Sequence, residues 1–126
     1  INISDCPDLL PAVAVMAIFA QGERVITGIS GESDRISAVT EQLNSLGATI
    51  IEQQNSLIIE GTDTITGGTA NTNNDHRIAM ALAIASTCCD NIVCIEDSEC
   101  INKSYPDFWN HFNMLGGITE EWIMNR

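Results

Sequence analysis

Residues 33–60, SDRISAVTEQLNSLGATIIEQQNSLIIE, decide the fold class. Ile36, Val39, Leu43 and Leu46 recur at helical spacing and share one face. Gly47 stops that helix, because glycine takes the left-handed backbone of a helix end without a Cβ clash. Thr49 to Glu52 and Ser56 to Glu60 are strand-like runs parted by Gln53-Gln54-Asn55, which predicts a hairpin. A helix feeding a hairpin in a chain that alternates helices and strands belongs to the α/β or α+β class.

The same alternation extends both ways. Upstream, Arg24 to Ile29 reads as a strand. Before it, Pro7 and Asp8 open a helix whose apolar face is read as Leu9, Val13, Met16 and Ala20, with Gly22 as its end. Residues 1–3 read as the end of a strand. Downstream, residues 61–73 form a loop rich in Gly, Thr and Asn, with a short strand near Thr69 to Asn71. Asn74 or Asp75 caps a third helix running to about Cys88, and Ile92 to Glu96 is a strand. Ser104-Tyr105-Pro106-Asp107 predicts a fourth helix start, with Tyr105, Phe108, Trp109, Phe112 and Leu115 on its apolar face and Gly116-Gly117 beyond it. The order amounts to one complete β-α-β-α-β-β unit and most of a second.

Composition narrows the function. The 126 residues are 44% apolar, enough for one hydrophobic core and too apolar for disorder. No run approaches the roughly 20 apolar residues of a membrane span, and Ile1-Asn2-Ile3-Ser4-Asp5 does not read as a secretory signal. A net charge of −12 argues against a nucleic-acid partner. Cys6, Cys88, Cys89, Cys94 and Cys100 contain no Cys-x-x-Cys pair, and His76 and His111 are not spaced as metal ligands beside them. They are expected to be buried reduced thiols of a cytoplasmic protein, with no metal or cofactor implied.

With only five basic residues present, their placement carries information. Four polar clusters are each predicted to sit where a helix begins: Asp5 to Asp8, Gly31 to Arg35, Asn74 to Arg77, and Asn102 to Pro106. Helix starts present free N–H groups and partial positive charge, and so are suited to anions. Asp8, Glu32, Asp34 and Asp75 are explained there by capping alone. Arg35 and Arg77 are not, because the helix dipole disfavours a cation in the first turn by about 0.3–1 kcal/mol. Lys103 is expected to precede the fourth helix directly. Local pairing of Arg35 with Asp34 or Glu32, and of Arg77 with Asp75, is the rival explanation. Exposed pairs of that kind contribute only about 0–1 kcal/mol, too little to explain the placement. The residues thus point to an anion site built from Arg35, Arg77 and Lys103. Carboxylates beside an anion bound there are expected to be raised toward neutrality by its like charge, which invites roles as acid or base.

The four clusters, in this order, resemble the 5-enolpyruvylshikimate-3-phosphate synthase family: Pro7-Asp8, Glu32-Ser33-Asp34-Arg35, Asn74-Asp75-His76-Arg77-Ile78-Ala79-Met80, and Lys103-Ser104-Tyr105-Pro106. Each string is weak alone, but together they span almost the whole chain. The resemblance implies repeated β-α-β-α-β-β units in two domains, with this chain the C-terminal part of one and the partner domain absent. It also implies transfer of the enolpyruvyl group of phosphoenolpyruvate to the 5-hydroxyl of shikimate 3-phosphate. By that resemblance Asp8 binds shikimate hydroxyls and takes the 5-hydroxyl proton, and Glu32 serves proton transfer at the phosphoenolpyruvate methylene. Arg35, Arg77 and Lys103 bind phosphoenolpyruvate, and His76 orients its neighbours.

One departure stands out. The family has Lys before the Glu, where this chain has Gly31, and the stretch from Ile29 to Glu32 is a few residues shorter. The missing positions normally help hold shikimate 3-phosphate. Either the loop is truly deleted or the sequence joins residues across a gap; the mobility of loops at an open cleft favours the gap. The alternatives are a related transferase acting on UDP-N-acetylglucosamine, disfavoured by the Asn-Asp-His-Arg and Lys-Ser-Tyr-Pro strings, or a non-catalytic ligand-binding half-domain.

Overall fold

The computed structural model describes residues 1–31 and 33–120. Strands β1 (Glu23–Ile26), β2 (Thr49–Gln53) and β3 (Ser56–Glu60) form an antiparallel sheet in the order β1-β3-β2. The hairpin closes as expected: Gln53 pairs with Ser56, and Asn55 takes the left-handed turn position at φ 59°. In the central strand Leu57 and Ile59 are fully buried, facing Ile26 and Ile50 in register. Strand β4 (Gly68–Asn71) runs parallel to β5 (Val93–Glu96), which requires the crossover through the helix between them.

Helix α1 (Leu10–Ile18) follows a 3-10 turn over Pro7–Leu9. Its sequence, LPAVAVMAI, has no polar residue, so spacing alone does not fix its inner face. Leu10, Ala14, Val15, Ala17 and Ile18 are buried, while Leu9 and Met16 are exposed. The expected face was therefore rotated toward the wrong side. Helix α2 (Ser33–Ser45) buries Ile36, Val39 and Leu43, with Leu46 following, as its spacing predicts. Helix α3 (His76–Ser86) buries Ile78, Ala81, Leu82 and Ala85 in the same core, and Asp75 is its cap. Helix α1 packs on both α2 and α3, α1 and α2 lie against the β1–β3 sheet, α3 lies against β5, and all three helices join one core.

The fourth helix begins later than expected. Residues Ser98–Lys103 form a 3-10 helix, Ser104 closes it, and α4 spans Phe108–Met114 without a side-chain cap. Ile101 and Cys100 are buried against Ala79, and their packing holds this 3-10 segment in place. The Trp109 indole N–H donates to the Ser98 carbonyl at 3.2 Å, tying α4 to it. Phe108, Trp109 and Phe112 are half-buried, but Leu115 is exposed. All five cysteines are free thiols, yet only Cys100 is buried; Cys6 and Cys94 face solvent, contrary to expectation. Burial pushes the Cys89 thiol up, with help from Cys88 and Asp90. Among the described residues no helix is long and apolar enough to cross a membrane.

The segment after α1 is pinned to the segment after β3. The Gly61 N–H donates to the Gly22 carbonyl at 2.9 Å, and a Cβ at Gly61 would run into the Ala20 carbonyl. The substitution Gly61→Ala should therefore lower stability by about 1–3 kcal/mol through overpacking. The check is a fall in the urea midpoint at unchanged slope.

Candidate active site

Three helix starts converge. Asp8 lies in the 3-10 turn that launches α1, Arg35 in the first turn of α2, and Asp75 to Arg77 at the start of α3. The Asp75 side chain caps α3 by accepting from the Arg77 and Ile78 backbone N–H groups at 2.8 and 3.4 Å through Oδ1. Its other oxygen lies 3.5 Å from Arg35 Nε. Arg35 Nη1 donates to Asp8 Oδ1 at 2.8 Å, and Arg77 Nη2 stands 3.9 Å from Asp8 Oδ2.

Arg35 and Asp75 are largely covered, with side chains 25% and 22% exposed, whereas Asp8 is 60% exposed. The inner pair is therefore the fixed part of the cluster, and Asp8 is the part that solvent or a ligand can reach. These pairs cross between helices, so for Asp8 and Asp75 the local-pairing explanation does not describe what holds the arginines.

An open cleft of about 530 Å³ lies beside the cluster, lined among others by Gly31, Ser33, Arg35, Asn73 and Asp75. Gly31 sits at φ +84° with open space where a Cβ would project. That space is compatible with a small anion approaching the α2 start.

The electrostatics of Asp8 are those of a carboxylate set among cations. The hydrogen bond from Arg35, and then the charge of Arg77, hold it below the ordinary value; slight desolvation works the other way, and His76 adds a small downward pull. Without a bound anion the neighbours of Asp8 are cations, and they stabilise its charged form.

His76, the first residue of α3, is half-buried. Lys103 is exposed at the end of the 3-10 helix rather than before α4, where a helix dipole favours a cation. Among the described residues it makes no ion pair, so no contact joins it to the cluster. Glu32 lies outside the described residues. No group of three or more His, Cys, Asp or Glu side chains suited to a metal occurs among the described residues.

The profile of the family described as EPSP synthase (3-phosphoshikimate 1-carboxyvinyltransferase) matches residues 1–112. The chain belongs to the EPSP synthase family. A 3-phosphoshikimate 1-carboxyvinyltransferase of Clostridium kluyveri is 44% identical over 130 residues, covering all of this chain and 30% of that protein. One of Clostridium botulinum (strain Alaska E43 / Type E3) is 47% identical over 127 residues, covering 97% and 29%. A solved EPSP synthase from Acinetobacter baumannii superposes with a TM-score of 0.80 at 28% identity, covering 88% of this chain and 28% of that one. The fold is thus that of EPSP synthase, and the chain spans about 30% of the length of these relatives. The 130 aligned positions against 126 residues leave at least four positions of the Clostridium kluyveri protein without a counterpart here.

Two features of this EPSP synthase segment escaped the sequence reading. Asp75 was legible as a cap but not as the partner of Arg35, because that contact joins residues 40 positions apart. Asn73 lines the cleft and carried no signal beyond loop composition.

The lowered Asp8 value fixes a sign. Its stabilising contribution is present above the unfolded value of about 3.9 and is lost as pH falls through the lower folded value. Replacing Asp8 with Asn should therefore flatten the acid arm of the stability profile below about pH 4, read from denaturation midpoints between about pH 2 and 7.

Proposed function

We propose that the chain is the C-terminal part of one domain of an enzyme that transfers the enolpyruvyl group of phosphoenolpyruvate to the 5-hydroxyl of shikimate 3-phosphate, releasing phosphate. The observation that supports it best is the joining of Asp8, Arg35, Asp75 and Arg77 from three helix starts beside an open cleft. Guanidinium groups grip phosphate and carboxylate in a bidentate fashion, and phosphoenolpyruvate carries both.

In this reading an incoming anion competes with Asp8 for Arg35 and Arg77. Released from those cations and set beside new negative charge, Asp8 gains proton affinity and becomes a better base. It takes the 5-hydroxyl proton as that oxygen adds to C2 of phosphoenolpyruvate, while Glu32 delivers a proton to the methylene carbon. Loss of phosphate and of a methyl proton from the tetrahedral adduct then restores the double bond. Lys103 adds a third cation for the anion, and His76 orients its neighbours. No cofactor or metal enters this scheme.

The isolated segment lacks the second wall of the cleft, which the partner domain supplies, and is inactive alone. Its exposed apolar surface is consistent with that: Met16, on the wholly apolar α1, is 72% exposed. A cytoplasmic setting fits five unpaired thiols. The second reading, a half-domain that binds without catalysis, is favoured by the four or more absent alignment positions.

The deciding experiment is phosphate release by the full-length protein carrying this segment, given both substrates. Release dependent on both supports transfer; binding of phosphoenolpyruvate without release supports the half-domain. In the active protein Asp8→Ala should lower kcat by about 100-fold or more, and because Asp8 no longer competes for Arg35 and Arg77 the phosphoenolpyruvate KM should fall rather than rise. The acid-side limb of the pH profile, which rises as Asp8 loses its proton, should be lost with it.

A further inference from the structure

We propose that Thr72 is a positioning residue for the anion site. Its buried hydroxyl locks the turn carrying Asp75 to Arg77 onto the turn that launches the Lys103 helix. That these cations serve an anion rests on the function proposed above; the locking itself rests on geometry.

Thr72 is fully buried, one of two buried polar residues among those described. A threonine hydroxyl has one hydrogen and two lone pairs. Here all three are engaged. The hydroxyl donates to the Asp97 carbonyl at 3.0 Å, and it accepts from the Asn74 N–H at 3.3 Å and from the Cys100 thiol at 3.3 Å. The backbone adds two more ties, from Thr72 N–H to the Glu96 carbonyl and from Asp75 N–H to the Thr72 carbonyl.

The two turns joined in this way are both strained. Four non-glycine residues among those described have positive φ; three of them, Asn73, Asn74 and Asp97, lie in these turns. Left-handed backbone at non-glycine positions persists only where surrounding contacts over-determine it. The next residue after Asn74 is Asp75, which caps α3 and faces Arg35, and Arg77 follows two residues on. The next residue after Asp97 begins the 3-10 helix that ends at Lys103. One hydroxyl therefore bonds to both segments that carry Arg77 and Lys103, beside the backbone bond to Glu96 and the packing of Cys100 and Ile101 on Ala79.

The test uses the full-length protein with Thr72→Val, which keeps the volume and removes the hydroxyl, and Thr72→Ser, which keeps the hydroxyl. Thr72→Val should raise the phosphoenolpyruvate KM about tenfold with a smaller change in kcat, while Thr72→Ser stays within about twofold of the unsubstituted protein. Amide hydrogen exchange should accelerate together in residues 73–77 and 97–103 for Thr72→Val only. If Thr72→Val does not fold, Thr72→Ala leaves room for water and should show the same paired loosening more weakly.

An unchanged KM with activity falling only as the folded fraction falls would overturn the proposal. So would exchange that loosens one turn alone. If the unsubstituted protein releases no phosphate, the enolpyruvyl reading fails, and the paired exchange still decides whether Thr72 locks the two turns.

Discussion

Two guanidinium groups at the starts of two neighbouring helices repel each other and oppose both helix dipoles. The carboxylates of Asp8 and Asp75 make that arrangement possible. Asp75 does so twice, capping α3 with one oxygen and facing Arg35 with the other. The helix start that aims Arg77 and the charge that steadies Arg35 therefore belong to one side chain. Because Arg35 and Asp75 are mostly shielded, their attraction is screened less than that of an exposed pair. Asp8 stands outside them, more exposed and more easily displaced.

The apolar framework exists to hold these starts in register. Residues of α1, α2 and α3 share one core with the β1–β3 sheet, so each helix start is located by packing further along its helix. Thr72 adds hydrogen bonds to the same task at the turns, beside the apolar packing of Cys100 and Ile101 on Ala79. The two devices meet at α3, whose start follows the Thr72 turn and whose body packs in the core.

Local chemistry was legible wherever it alone decides structure. The α2 face, the Gly47 stop, the hairpin and the Asp75 cap are each set by residues within a few positions of one another, and each occurs where expected. The α1 face was not legible, because a helix with no polar residue has no periodic signal and its orientation is chosen by what it packs against. Ser104-Tyr105-Pro106-Asp107 resembles a helix start, yet Cys100 and Ile101 packing on Ala79 extends the preceding 3-10 helix to Lys103. The site divides in the same way. That Arg35 and Arg77 sit at helix starts could be read from local pattern, while their carboxylate partners lie 27 to 69 positions away in three of the contacts that define the cluster.

Under the proposed function, the charge state of the cluster bears on how an anion reaches a segment whose own net charge is −12. An acidic chain repels anions at long range, so attraction must be local and must not be squandered on a permanent internal partner. The cluster resolves this with an exposed carboxylate as the provisional partner. Asp8 neutralises Arg35 and Arg77 while the site is empty, and its own proton affinity is held down by doing so. Under the proposed function, an anion that displaced it would remove the interactions that hold its proton affinity down. Binding and base strength would then be linked through the same two arginines, and by linkage a protonated Asp8 would in turn release both guanidinium groups to the anion.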